Sequence, residues 1–311
     1  MEYGAHLPLI DLAASRSLPA LKAYARTAAA LGFRYLCAND HLLFSRPWLD
    51  GPTALAALID ESDDMRLAMT ASLPVLRGPV QLAKTLVAID VLSGGRVVVG
   101  VGPGSSAADY AAAGLRFGER WRRFDEAVQV LRALLHGDPS GFEGEFYATR
   151  GVVLEPRSVQ RPGPPIWIAS WGSPAGLRRV ARLGDGWLAS GYNTTPDRFR
   201  EGLDRLADAL RLVGRPRESC SNAIATTWLY ITEDKGVAER TLADLASMLN
   251  RSDAALRSLP LPIGPAEVCA ERLTAFVAAG ARRIFVWPLG DELTQLELFR
   301  ERVAPLVPRR P

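Results

Sequence analysis

Along this chain, short apolar runs of β-type pattern alternate with longer stretches in which apolar residues recur at i, i+3, i+4 and i+7. The short runs are EYGAHLPL (2–9), FRYLCAN (33–39), RLAMTASLPV (66–75), RVVVGVG (96–102), PIWIAS (165–170), GWLAS (186–190), NAIATTWLYI (222–231) and RRIFVW (282–287). The stretches of helical period cover 18–32, 79–95, 120–137, 174–183, 197–213, 236–249, 265–279 and 292–304. One apolar stripe per helix is what a face packed on a sheet requires. Glycines stand where helices should stop, at Gly32, Gly94, Gly137, Gly214 and Gly280, because the residue after a helix often needs a left-handed backbone.

Strand–helix alternation predicts an α/β protein with a parallel sheet and right-handed crossovers. Eight such units predict a closed (β/α)8 TIM barrel rather than an open doubly wound sheet, within one domain over residues 1–311. Two segments break the rhythm. Residues 141–165 are rich in Gly and Pro with β-alternating pieces, which predicts a hairpin-like insertion before strand five. Residues 250–264 form a second irregular stretch after strand seven.

Composition narrows the class of partner. Apolar residues make up 48% and charged ones 23% of 311, an ordinary soluble balance. A net charge of +3 without a lysine-rich tract argues against nucleic acid. Cys37, Cys220 and Cys269 are far apart and odd in number, which predicts a reducing compartment and no zinc site. No apolar run reaches the roughly 18 residues that a membrane span needs. The N-terminal MEYGAHLPLIDL lacks a basic start, so no signal peptide and a cytoplasmic location are expected.

A barrel places its chemistry at the C-terminal ends of its strands. Those ends hold His6, Asn39-Asp40-His41, Thr70-Ala71-Ser72, the turn GVGPGSS (100–106), ASWGS (169–173), Tyr192 with Asn193, and Trp287. SGGR (93–96) falls on the opposite, stability face. Two readings of His41 compete. It is a half-buried imidazole bonded to a neighbouring carbonyl, or an acid–base group that titrates near neutral pH. Its strand-end position beside a carboxylate favours the second. GVGPGSS fits neither nucleotide fingerprint; Gly102 and Gly104 suit either close approach to a flat ligand or plain turn chemistry. In SWGSP (170–174), Pro174 suits a first helical turn whose free N–H groups face an anion, and Ser173 suits an N-cap. His6, His41 and His136 make no metal-ligand set.

The run LPVLRGPVQLAKTLVAIDVLSGGRVVVGVGPG (73–104), with NDHLL before it and RFDEAVQVLRALL, GEFY, RPGPPIWIAS and LGDGW after it, resembles the bacterial luciferase-like monooxygenase family. More narrowly it resembles the coenzyme F420 (deazaflavin)-dependent branch, from about residue 3 to 190 and more loosely to 305. The resemblance implies a (β/α)8 barrel with an insertion before strand five. It implies that His41 faces the isoalloxazine or deazaflavin ring and that Asn39 and Asp40 contact the cofactor. It also implies a cis peptide at Thr70–Ala71 against the ring. Gly102, Gly104 and Ser105, with Ser170, Trp171, Gly172 and Ser173, would line the cofactor's ring and phosphate sides.

Two departures shape the expected chemistry. Flavin-dependent luciferases of the family carry Cys and Arg where this chain has Gly102 and Pro103, which disfavours FMN. Deazaflavin-dependent glucose-6-phosphate dehydrogenases carry an acid where this chain has Ser105, which disfavours a sugar phosphate. His6, Tyr192 and Trp287, with Trp171 again, outline an aromatic pocket suited to a hydrophobic carbonyl or enone compound. The expected activity is hydride transfer between the deazaflavin C5 and that organic substrate, with His41 as proton donor or acceptor. The alternatives are an FMNH2-dependent monooxygenase that uses O2 and a separate flavin reductase, and a cofactor-binding barrel without turnover. A reductase supplying reduced flavin or F420 is a further expected partner. Helices one to three are apolar over more than one stripe, which predicts a homodimer.

Overall fold

A computed structural model of the chain describes residues 1–10 and 17–308. Strands β1 (Glu2–His6), β2 (Tyr35–Ala38), β3 (Arg66–Ser72), β4 (Val97–Val101), β5 (Ile166–Ala169), β6 (Gly186–Ser190) and β7 (Ser221–Ile231) pair in parallel in chain order. A two-residue strand, β8 (Ile263–Gly264), pairs only with the far end of β7. Strand β9 (Arg283–Pro288) then pairs with both β7 and β1 and closes the ring. The result is an eight-stranded parallel TIM barrel.

Alternation within each strand separates two apolar layers. Tyr35, Cys37, Ala68, Val98, Trp167, Leu188, Ala223 and Phe285 point inward and fill the barrel. Their neighbours, such as Leu36, Ala38, Leu67, Val97 and Val99, point outward into the larger layer beneath the helices. The interior is crowded: a Cβ at Gly4 would come within 2.5 Å of the Phe285 ring.

The helices are α1 (Leu18–Ala30), α2 (Gly51–Ala57), α3 (Pro74–Arg77), α4 (Pro79–Leu92), α5 (Ala107–Ala112), α6 (Arg120–His136), α7 (Pro174–Leu183), α8 (Pro196–Leu212), α9 (Lys235–Met248), α10 (Asp253–Arg257), α11 (Ala266–Ala278) and α12 (Glu292–Leu298). The seven long ones, and α12 together with the π-turn that continues it, follow the periodic stretches. The five glycines expected to end helices all have positive φ, between 67° and 111°. Helices α2, α3, α5 and α10 were not legible, because about one or two turns are too short for a 3.6-residue period to register. The expected strand 66–75 stops at Ser72, since Pro74 opens α3. The expected helix 292–304 changes to a π-turn over Phe299–Val303.

The insertion before β5 is hairpin-like only at its start. Glu143 and Ala148 form one antiparallel bridge, and the Glu126 carboxylate accepts N–H groups of Glu145 and Phe146 at 2.9 and 2.8 Å. Its second half is tied to α4, where buried Asp90 accepts from the Val159 N–H at 2.9 Å and the Gln160 amide at 2.8 Å. On the stability face, Arg96 of SGGR donates to Ser62 Oγ, Met65 O and Ile59 O at 2.8–3.1 Å. That motif braces a loop.

Candidate active site

A cavity of about 400 Å3 opens at the C-terminal ends of the strands, within the range of small-molecule sites. Asn39, Asp40, His41, Thr70, Ala71, Gly102, Gly104, Ser105, Ser170, Trp171, Ser173 and Tyr192, all named from the sequence, line it. Gly172 is not among its lining residues, although its φ of +86° shapes the turn that is.

Ala71, Gly102 and Ala169 make a floor without long side chains; a Cβ at Gly102 would lie 3.5 Å from that of Ala169 and 3.8 Å from that of Ala71. Such a floor suits a flat ring. The Thr70–Ala71 peptide in that floor is cis, and the β3–β4 register shifts between Met69 and Ser72. Thr70 Oγ1 donates to Asn39 Oδ1 at 2.9 Å, which joins the ends of β2 and β3.

His41 is held by ring contacts, not by a carbonyl. Its imidazole packs 4.5 Å from Trp48 and 5.0 Å from Phe44, centroid to centroid. Nδ1 is buried without a partner. Nε2 makes no hydrogen bond within the described residues. Burial pushes the pKa of His41 down, opposed first by the charge of Asp109 and then by that of Asp40. At neutral pH the ring is therefore uncharged and able to accept a proton.

Asp40 lines the cavity, but its carboxylate is already engaged. Arg77 donates to it through Nε and Nη2, both at 2.6 Å, and the Leu73 N–H adds a third bond at 3.3 Å. Arg77 also pairs with Asp50, the N-cap of α2.

The turn between β5 and α7 is open to an anion. Ser173 caps α7 by accepting the Gly176 N–H at 3.1 Å, and Ser170 Oγ accepts the Gly172 N–H at 3.2 Å. The N–H groups of Trp171, Ser173 and Ala175 have no acceptor among the described residues. Gly176 lies on the cavity wall, and a Cβ there would collide with Ser170 Oγ. Free N–H groups at a helix start favour a phosphate. Arg120 and Arg179 line the same side, Arg120 over the Phe117 ring and Arg179 over Trp121 and paired with Asp125.

Two expected pocket residues are corrected. His6 and Trp287 do not line the cavity; they lie in the aromatic packing beneath its edge. Their rings stack at 4.6 Å and 9°, Trp228 also stacks on Trp287 at 4.4 Å, and Trp48 meets Trp287 edge-on. His6 Nε2 accepts the Thr226 N–H at 3.2 Å, and burial pushes the His6 pKa down to about 3. The inward residue at the end of β1 is covered here by Trp287, which is itself packed by Trp48 and Trp228.

Sequence reasoning missed Asp109, Arg120, Trp121, Arg179 and Thr226, which also line the cavity. The arginines read as a solvated helix face. Asp109 carries one signal, its place three residues after the N-cap Ser106.

A parallel barrel with a flat-floored cavity at its strand ends and an anion-ready helix start defines a class of cofactor-binding barrel. Residues 5–258 match the luciferase-like monooxygenase family, and the chain belongs to that family. The chain is 27% identical to the F420-dependent hydroxymycolic acid dehydrogenase of Mycobacterium tuberculosis, over 92% of this chain and 83% of that protein. It is 27% identical to the F420-dependent glucose-6-phosphate dehydrogenase of Nocardia farcinica, over 86% and 84% of the two chains. Its fold is similar to that of an F420-dependent secondary alcohol dehydrogenase solved with an F420–acetone adduct, with a TM-score of 0.85 over 99% of both chains at 18% identity. Among the described residues, no helix is long and apolar enough to cross a membrane.

Proposed function

We propose that this chain is a coenzyme F420-dependent oxidoreductase that oxidises an uncharged, largely apolar alcohol to its carbonyl compound. The observation that carries this reading is a largely buried imidazole on the cavity wall, its Nε2 unbonded among the described residues, beside a floor of small residues. The F420-dependent relatives support the choice of cofactor.

The residues present fit that cofactor. Ala71, Gly102 and Ala169 would lie under the flat ring, and Ser170, Ser173 and the first N–H groups of α7 would hold the phosphate. When bound, the deazaflavin supplies hydride acceptance at C5. The chain's own residues manage the proton: His41 takes it from the substrate hydroxyl at Nε2, and Trp48 and Phe44 hold the ring in place. Phe117, Trp121 and Tyr192 present aromatic surface to the substrate and keep water out. Asp40 acts through Arg77 by fixing the loop that carries His41.

Titration with coenzyme F420 and with FMN, followed by tryptophan quenching, tests the reading. F420 should bind far more tightly, because Pro103 stands where flavin-binding relatives have an arginine. Equal or tighter FMN binding would replace it with the reduced-flavin monooxygenase, served by a separate reductase. F420 binding without turnover of any alcohol would leave a silent barrel.

Pairing of two copies as a homodimer is part of the same reading. The outer face of α4 exposes Val91 and Leu92, and sedimentation at micromolar concentration decides whether they are covered.

A further inference from the structure

Five polar side chains that line the cavity are less than a tenth exposed: Asp40, Thr70, Asp109, Ser170 and Thr226. Four of them are occupied within the chain. Arg77 donates to Asp40, Thr70 Oγ1 donates to Asn39 Oδ1, the Ser106 hydroxyl donates to Asp109, and Ser170 Oγ accepts the Gly172 N–H. Thr226 differs. Its hydroxyl makes no hydrogen bond among the described residues, yet Oγ1 is not sealed into packing as the hydroxyl of its neighbour Thr227 is. On a cavity-lining residue only 7% exposed, that oxygen opens into the cavity. A buried hydroxyl without a partner is unfavourable, so the missing partner is one that arrives with a ligand.

The backbone takes an uncommon course to present it. Thr226 has a φ of +55°, a left-handed conformation that β-branched residues rarely adopt. The β7–β9 register shifts at the same place, between Ile224 and Thr227, and such irregularities re-aim side chains. The Thr226 N–H donates to His6 Nε2 at 3.2 Å, and Thr70 Oγ1 lies 3.5 Å from the same nitrogen. With the Thr70–Asn39 bond, these contacts run as a polar line from β7 to the end of β2, whose loop carries His41. Strain of this kind persists only where the surroundings impose it; here a buried imidazole holds it.

We propose that Thr226 is a substrate-binding residue whose hydroxyl holds a neutral oxygen of the substrate. A threonine hydroxyl donates to a carbonyl oxygen and accepts from an alcohol. One side chain therefore serves both the alcohol and the carbonyl compound it becomes, without changing its own protonation. The choice of substrate over cofactor rests on the reading above, in which the ring and phosphate occupy the arc from β3 to the turn after β5. Thr226 stands beyond that arc, on β7, where Ala225 pairs with Ser190 of β6.

Cyclohexanone and methylenecyclohexane share a shape and differ in the oxygen, so they isolate this contact. Ligand-observed NMR titrations would measure both against protein loaded with F420 and, in parallel, against cofactor-free protein. Wild type should bind the ketone more tightly than the alkene. Thr226→Val should weaken ketone binding roughly three- to tenfold, the worth of one hydrogen bond, and leave the alkene unmoved. Thr226→Ser should restore the ketone. Unchanged ketone affinity in Thr226→Val overturns the proposal, as does an equal loss for both probes or a wild type that does not prefer the ketone. Weaker F420 binding in Thr226→Val with ketone binding intact would give the hydroxyl to the cofactor and also overturn it. Should Thr226→Val fail to fold, Thr226→Ser against Thr226→Ala gives the same contrast without the β-branch. Failure of F420 to bind wild type would remove the proposed activity and leave the ketone–alkene contrast readable in cofactor-free protein.

Discussion

Asp40 and Arg77 meet through two parallel hydrogen bonds of 2.6 Å, 37 residues apart in the chain. The carboxylate is nearly enclosed and the guanidinium is 30% exposed. A bidentate pair of this geometry locks the strand-two loop against α3, so His41 inherits its position from a contact outside its own segment.

Arg77→Met should therefore destabilise the fold, since it leaves a buried charge without its partner. The expected loss is about 3 kcal/mol, the lower end for a broken buried pair because Arg77 is partly solvated. Urea unfolding measures it. A variant as stable as the parent would show that Asp40 finds other partners.

His6 should make stability depend on acid. Its folded pKa is about 3 against 6.5 in the unfolded chain, so the unfolded state binds an extra proton between these values. Its contribution is complete above pH 6.5, declines as pH falls, and is lost below pH 3. The full span corresponds to ~5 kcal/mol. His6→Gln keeps an acceptor for the Thr226 N–H and removes the titration. The acid slope of the unfolding free energy should fall by about 1.4 kcal/mol per pH unit between pH 6 and 4.

His41→Ala should lower turnover by roughly 10²–10⁴-fold while leaving the F420 dissociation constant nearly unchanged, as expected of a general base. The pH dependence has a defined sign. Burial depresses the His41 pKa below 6.5, so the proposed alcohol oxidation should be full at neutral pH and fall as the pH drops through that depressed value. Loss of binding with turnover retained at saturating cofactor would sink the acid–base role.

The turn before α7 separates backbone from side-chain contributions. Ser173→Ala should cost about 1 kcal/mol of cofactor affinity, one hydroxyl bond, because the backbone N–H groups remain. Gly176→Val should weaken F420 binding by at least about tenfold, or 1.4 kcal/mol, since its Cβ enters space held by Ser170 Oγ. If isothermal titration shows wild-type affinity in Gly176→Val, the phosphate lies elsewhere.

Much of the scaffold was legible because it is written in local periodicity. Apolar runs and glycine stops mark the eight barrel strands and the long helices, although the runs at 2–9 and 66–75 overshoot the strand ends at His6 and Ser72. Placing His41, Gly102 and Ser170 on one rim needed only the rule that parallel strands share a direction. The short helices α2, α3, α5 and α10 escaped for the opposite reason, having too few residues to repeat a pattern.

Sequence alone determined which residues stand at the catalytic end of the barrel; tertiary structure decided which of them open into the cavity. His6 and His41 look alike as strand-end imidazoles. Trp287 stacks on His6 and the Thr226 N–H donates to its Nε2, whereas among the described residues His41 keeps one nitrogen free on the wall. Asp40 and Asp109 likewise differ through Arg77, which reaches one and not the other. Burial and charge pairing depend on side chains brought together from distant segments, and no local pattern records which of two similar residues they will cover.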